Sequence, residues 1–155
     1  MNRITTLLMI ALLALSGSIT GQIFTDKEGN PFSGIFRTYY RNGSIKSQTN
    51  YKDGMPVGLM QEWHENGVVK SEKHYLHLMG EPVINGPVYA WNSDGKLILV
   101  KNYMWGKLDG EWIRYDAAGK IIFHAVFRNG KHISGDKIDM YPHPPPKMIP
   151  YASCR

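Results

Sequence analysis

Glycine recurs through this chain at a near-constant interval, and a backbone reversal repeated at fixed spacing leaves few folds open. Aligned on glycine, the sequence divides into four units, 34–57, 58–85, 86–109 and 110–135, whose first residues Gly34, Gly58, Gly86 and Gly110 are 24, 28 and 24 positions apart. Nine positions into each unit stands a second glycine: Gly43, Gly67, Gly95 and Gly119. One aromatic falls five positions after each start (Tyr39, Trp63, Trp91, Tyr115) and another seventeen after it (Tyr51, Tyr75, Tyr103, Phe127). The dipeptides Asn42-Gly43, Asn66-Gly67 and Asp94-Gly95 are those of tight hairpin turns, in which both positions accept positive φ. Asp53-Gly54, Trp105-Gly106 and Asn129-Gly130 mark a second set of turns that carries the chain from one hairpin to the next.

The segments between the turns, such as Ile45 to Tyr51, Leu97 to Tyr103 and Ile121 to Phe127, favour strands, and none holds a helical apolar period. The expected fold is all-β: an elongated, twisted antiparallel meander of β-hairpins, about eight strands in all, with the in-phase rings stacked from one hairpin to the next. The second unit is longer than its neighbours through Leu76 to Asn85, which predicts a loop or bulge in place of its outer turn.

The flanks read differently. Residues 1–21 combine Arg3, an apolar run from Ile4 to Leu15 and a small, polar stretch, the layout of a cleaved signal peptide. That run is about 12 residues, short of the roughly 20 that a membrane-spanning helix needs. The expected location is therefore secreted or periplasmic. Residues 22–33 form a lead-in, and 136–155 a tail whose prolines (Pro142, Pro144, Pro145, Pro146, Pro150) exclude interior strand and favour an extended run.

The unit reads Gly-x-Phe/Met/Trp-x-x-Tyr/Trp, then Asn/Asp-Gly, then Tyr-x-Asp/Asn-Gly and a closing glycine. The stretches GIFRTYYRNGSIKSQTNYKDGMPVG (34–58) and GEWIRYDAAGKIIFHAVFRNG (110–130) resemble the MORN-repeat variant, and the whole resembles the group of YwqK-like antitoxins. The resemblance covers about 34–135. It implies four MORN-like repeats forming a hairpin meander that binds or scaffolds, in some members as the protective partner of a toxin.

The residues themselves offer little chemistry. Cys154, the single cysteine, excludes an internal disulfide and cysteine-rich zinc sites, and no Gly-x-Ser-x-Gly elbow or phosphate-cradling loop occurs. A formal charge of +5, dispersed along the chain, argues against nucleic acid. His74 and His77, with Glu72 or Glu81, are the nearest approach to a metal site, yet three-residue spacing on a strand does not share a face. No catalytic residue, metal or cofactor is expected, and the chain reads as a non-enzyme. Aromatics outside the repeat phase, Tyr40, Tyr89 and Trp105, stand near Arg37, Arg41 and Lys107, the residue types of protein-binding hot spots. The six together are the candidate partner site. The expected function is an exported protein-binding module, antitoxin- or immunity-like, with a cell-envelope scaffold that contacts glycan or lipid headgroups as the alternative.

Overall fold

The computed structural model describes residues 23–137, so the expected signal peptide and the tail beyond Lys137 lie outside the described residues. Ten strands form one antiparallel sheet: β1 (Gly34–Tyr39), β2 (Ile45–Lys52), β3 (Met55–Trp63), β4 (Val69–Leu78), β5 (Glu81–Ile84), β6 (Gly86–Trp91), β7 (Leu97–Met104), β8 (Lys107–Tyr115), β9 (Ile121–Arg128) and β10 (Lys131–Gly135). Their order is sequential, with β5 paired to the end of β4 beside β6. The all-β hairpin meander is thus as the sequence predicts. Two strands exceed the expected eight: β5 arises in the long second unit, and β10 pairs with β9 to close the sheet.

Register explains the repeat anchors. Gly34 stands opposite Tyr51, Gly58 opposite Tyr75, Gly86 opposite Tyr103 and Gly110 opposite Phe127. Two anchors seventeen positions apart are therefore a single cross-strand pair, recurring once per hairpin.

The two sets of turns are of different kinds. In the inner turns the glycine alone is left-handed, with φ from 77° to 86° at Gly43, Gly67, Gly95 and Gly119, whereas Asn42, Asn66 and Asp94 are not. Tyr40 N–H donates to Ser44 O at 2.9 Å and Gly43 N–H to Tyr40 O at 3.0 Å, and the same two bonds close the turns at His64, Asn92 and Asp116. Each is a wider turn ending in a glycine bulge, and a separate register shift follows one pair further along, beside Tyr39, Trp63, Trp91 and Tyr115. This corrects the expectation of positive φ at both positions, and it explains why Ala118 before Gly119 folds the same way. Asp26 to Asn30 in the lead-in makes a fifth such turn, with Gly29 at φ 85°.

Paired left-handed residues occur instead at the outer turns: Asp53-Gly54, Met79-Gly80, Trp105-Gly106 and Asn129-Gly130. Three of these are pinned by the start of their own hairpin. Gly54, Gly106 and Gly130 donate to the carbonyls of Phe32, Ile84 and Leu108, each at 2.8 Å. The amides of Asp53, Trp105 and Asn129 donate to Ser33 Oγ, Asn85 Oδ1 and Asp109 Oδ2 at 2.9–3.0 Å. The second unit has Val57 at the corresponding position, which offers no side-chain acceptor. There β4 runs on to Leu78 and pairs with β5, and His77 Nε2 donates to Pro56 O at 3.1 Å. The extra residues lengthen both arms of a tight hairpin, and the expected loop or bulge is not formed.

No second layer covers the sheet among the described residues. One face carries a row from Thr38 through Ser47, Glu62, Ser71, Ala90, Leu99 and Arg114 to Phe123. The other carries Arg37, Gln48, Gln61, Glu72, Tyr89, Val100, Ile113 and His124. Of the described apolar side chains only Ala125 and Phe127 are buried. Rings gather on the first face at each end of the sheet. Phe24 and Phe32 cover Phe36 and Tyr51, with centroids 4.8–6.5 Å apart, and Trp112 meets Phe123 and Phe127 at 5.2 and 5.9 Å.

If the outer turns are held by these side-chain acceptors, Asn85→Ala and Asp109→Ala each destabilise the fold by about 1 kcal/mol. Val57→Ala, which removes no acceptor, shows no such loss of a turn bond. Urea unfolding with the slope unchanged reads the difference.

Candidate binding surfaces

The six sequence candidates fall into three places. Arg37 and Tyr89 share a row of the second face, four strand spacings or about 19 Å apart. Arg37 Nε donates to Gln48 Oε1 at 2.7 Å, and the Tyr89 ring lies 5.7 Å from that of Trp91. Tyr40 and Arg41 stand at the first inner turn, where the Tyr40 hydroxyl donates to Trp63 O at 2.7 Å and ties the first hairpin to the second. His64 repeats that link one unit on, its Nε2 donating to Trp91 O at 2.9 Å. Trp105 and Lys107 lie at the opposite rim, on the third outer turn. The structure therefore does not bring the six together, but it gives two of them new company.

That company is apolar. Leu78, Met79, Met104 and Trp105 occupy neighbouring outer turns and are 37%, 98%, 54% and 49% exposed. Leu78, Met104 and Trp105 line a shallow recess with Lys107, Asp109 and Asn129. Met79 and Trp105 hold φ of 53° and 50°, a left-handed conformation that their counterparts Asp53 and Asn129 accept more readily. A bulky apolar residue at such a position strains the turn by of order 1 kcal/mol or more, and strained backbone collects at functional sites. The sequence held this signal: two outer turns put Met and Trp where the other two put Asp and Asn.

A second feature runs along the second face. Tyr39, Trp63, Trp91 and Tyr115 each stand two residues beyond that face's row, one ring per hairpin. Sequence reasoning expected them to stack on one another. None of the described ring pairs joins two of them. Geometry gives the reason: successive hairpins are two strand spacings apart, about 9.5 Å, beyond the roughly 4.5–7 Å of ring contact. Aliphatic residues fill the alternate strands, with Ile45 opposite Tyr39, Val69 opposite Trp63, Leu97 opposite Trp91 and Ile121 opposite Tyr115. Beside Trp91 this ladder forms a shallow recess with Val68, Val69, Glu72 and Gly95.

Titratable groups on the sheet report partial burial. Burial raises the Tyr51 phenol above its usual range, with Tyr75 adding to it, and burial raises Tyr103 likewise. Lys101, whose Nζ sits 3.9 Å above the Trp112 ring, is lowered by burial and then by Arg114. His74 and His77, the nearest approach to a metal pair, point to opposite faces because β4 runs straight through them. Among the described residues no group of three or more His, Cys, Asp or Glu could hold a metal ion.

Raised phenols favour the protonated form in the folded state. Their contribution is complete below the unfolded phenol pKa of about 10 and disappears as pH climbs through the raised value. Tyr51→Phe and Tyr103→Phe should each move base-induced unfolding to higher pH, followed by circular dichroism, and an unmoved midpoint would refute the assignment.

Comparison with known proteins bears on the hairpins. The MORN repeat variant matches residues 32–53, 56–77 and 108–129. Neither curated proteins nor solved structures gave a match. The matched segments begin two residues before Gly34, Gly58 and Gly110, in the phase of the cross-strand anchors. The unit from Gly86 to Asp109 shows the same Gly86–Tyr103 register without a match, so three of the four structural hairpin units are similar to the MORN repeat variant.

Proposed function

We propose that this chain is an exported, non-enzymatic repeat protein that binds another protein through the outer-turn rim formed by Leu78, Met79, Met104, Trp105 and Lys107. One observation carries the reading: Met79 and Trp105 occupy left-handed turn positions at a cost to the fold, and both remain exposed. A turn selected for stability alone would hold Asn, Asp or Gly. Neighbouring apolar side chains beside a lysine match the anchors and rim of a protein interface. The concrete form is an immunity-like partner that occupies a toxin, a role drawn from the resemblance to the antitoxin group. The signal-like segment 1–21 supports an envelope or extracellular setting for that encounter.

A second reading draws on the cations beside the same rim. Lys107 stands opposite Met104, and Arg128 opposite Lys131 at the next turn. An apolar tip flanked by positive charge also suits an anionic lipid surface, and salt-sensitive sedimentation with anionic vesicles separates the two readings.

The outer-turn reading predicts an opposed pair of effects. Met79→Asn and Trp105→Asn should each raise stability by several tenths to about 1 kcal/mol by relieving the turn. The same substitutions should weaken capture of a partner from the native envelope by at least tenfold. Variants that are stabilised yet capture the partner undiminished would overturn the proposal.

A further inference from the structure

The two outermost strands of the sheet are built differently. β10 is defended: Lys131 stands at its start, its register shifts between His132 and Ser134, and His132 Nε2 donates to Asp136 O at 2.9 Å to fold the end back. Lysine, a bulge and a bent end are devices that stop an edge from pairing with another chain. β1 carries no lysine, and its register with β2 is unbroken from Gly34 to Thr38. The lead-in does not run along it. Phe24 N–H donates to Gly54 O and Gly54 N–H to Phe32 O, each at 2.8 Å, so that segment lies against the first outer turn and sets the Phe24 ring on the first face. Among the described residues nothing pairs with the outer edge of β1.

The ladder identifies the groups left free there. At the two-residue turn Asp53-Gly54, Lys52 and Met55 form the closely bonded pair, so Lys52 points its N–H and C=O at β3. By alternation Tyr51, Thr49 and Ser47 point theirs at β1, where they face Gly34, Phe36 and Thr38. Ile35 and Arg37 therefore turn their N–H and C=O outward. Their side chains share the second face, where Ile35 is 53% exposed and the 2.7 Å bond from Arg37 Nε to Gln48 Oε1 draws the guanidinium towards β2.

A second copy of this chain fits that edge about a two-fold axis normal to the sheet. β2 runs against β1, so an antiparallel β1 from the second copy continues the alternation. The unbroken stretch is centred on Phe36, and setting Phe36 opposite itself uses all of it. Gly34 then meets Thr38 of the second copy, and Ile35 meets its Arg37 with both main-chain bonds exchanged. The one charge on β1 thus faces an aliphatic side chain, whereas a register centred on Arg37 opposes two like charges. On the first face, Phe36 beside its copy joins two clusters of Phe24, Phe36 and Tyr51 into one.

We infer that β1 is a homodimer interface, at which two copies join edge to edge about Phe36 into one continuous antiparallel sheet. The rim at Met79 and Trp105 takes no part, so this inference and the proposed rim function fail independently.

Sedimentation equilibrium of the full chain provides the test. The expected species has twice the monomer mass and dissociates reversibly on dilution. Ile35→Lys sets a lysine opposite Arg37 at both symmetric positions and should weaken the dimer by about tenfold or more. Its circular dichroism spectrum should stay that of the parent, because Ile35 is exposed and its side chain takes no part in the ladder. Adding Arg37→Glu to that variant turns both like-charge pairs into opposite-charge pairs and should recover the dimer. A chain that stays monomeric, a mass that grows without limit, a dimer indifferent to Ile35→Lys, or a double variant that does not recover would each overturn the inference. Loss of the dimer in Trp105→Asn would assign the contact to the rim and overturn it as well.

Discussion

Among the described residues the sheet has no second layer, so its stability comes from its own plane. With Ala125 and Phe127 the only buried apolar side chains described, the ladder hydrogen bonds and the turns that fix their register carry what a core carries elsewhere. The outer turns are the critical joints. Each of the three regular ones is bonded to the carbonyl and the side chain of the two residues before the first glycine of its own unit, so a unit's end is anchored to its beginning. Cross-strand pairs then hold successive hairpins at a constant step, and that step spaces the ladder on one face and the turns along each rim. Stability of this kind is a sum of neighbour terms, as in other repeat proteins.

The hairpins, their phase and the sheet class were legible because glycine and aromatic anchors are cross-strand partners, a relation that sequence spacing preserves. Other features were hidden by their physical nature. The type of inner turn depends on whether Asn42 itself is left-handed, and Asn-Gly suits both a two-residue turn and a wider turn with a glycine bulge. The second unit's extra residues could not be placed without knowing that Ser33, Asn85 and Asp109 act as acceptors while Val57 cannot. Ring stacking was overestimated at Tyr39, Trp63, Trp91 and Tyr115, because in-phase positions suggest contact when the hairpin step forbids it.

Of the candidate surface, Trp105 was visible as a ring outside the repeat phase and Lys107 as a cation near it, whereas Leu78, Met79 and Met104 were not. Their significance depends on adjacency across the rim, which follows only from the strand order. Tyr40 shows the reverse: a ring without a phase partner has a hydroxyl that joins two hairpins, and His64 makes the same link with a different side chain. Chemically unlike residues can thus fill one structural role, which single-sequence comparison of the units does not detect.

The lengthened second hairpin has one further consequence. A strictly periodic sheet would offer any visitor several equivalent landing sites displaced by one unit, and binding would be degenerate in position. By projecting two residues, about 7 Å, past the neighbouring tips, the Met79 turn breaks that translational symmetry and gives the molecule an index mark from which every other feature can be located. An otherwise uniform ruler acquires a zero.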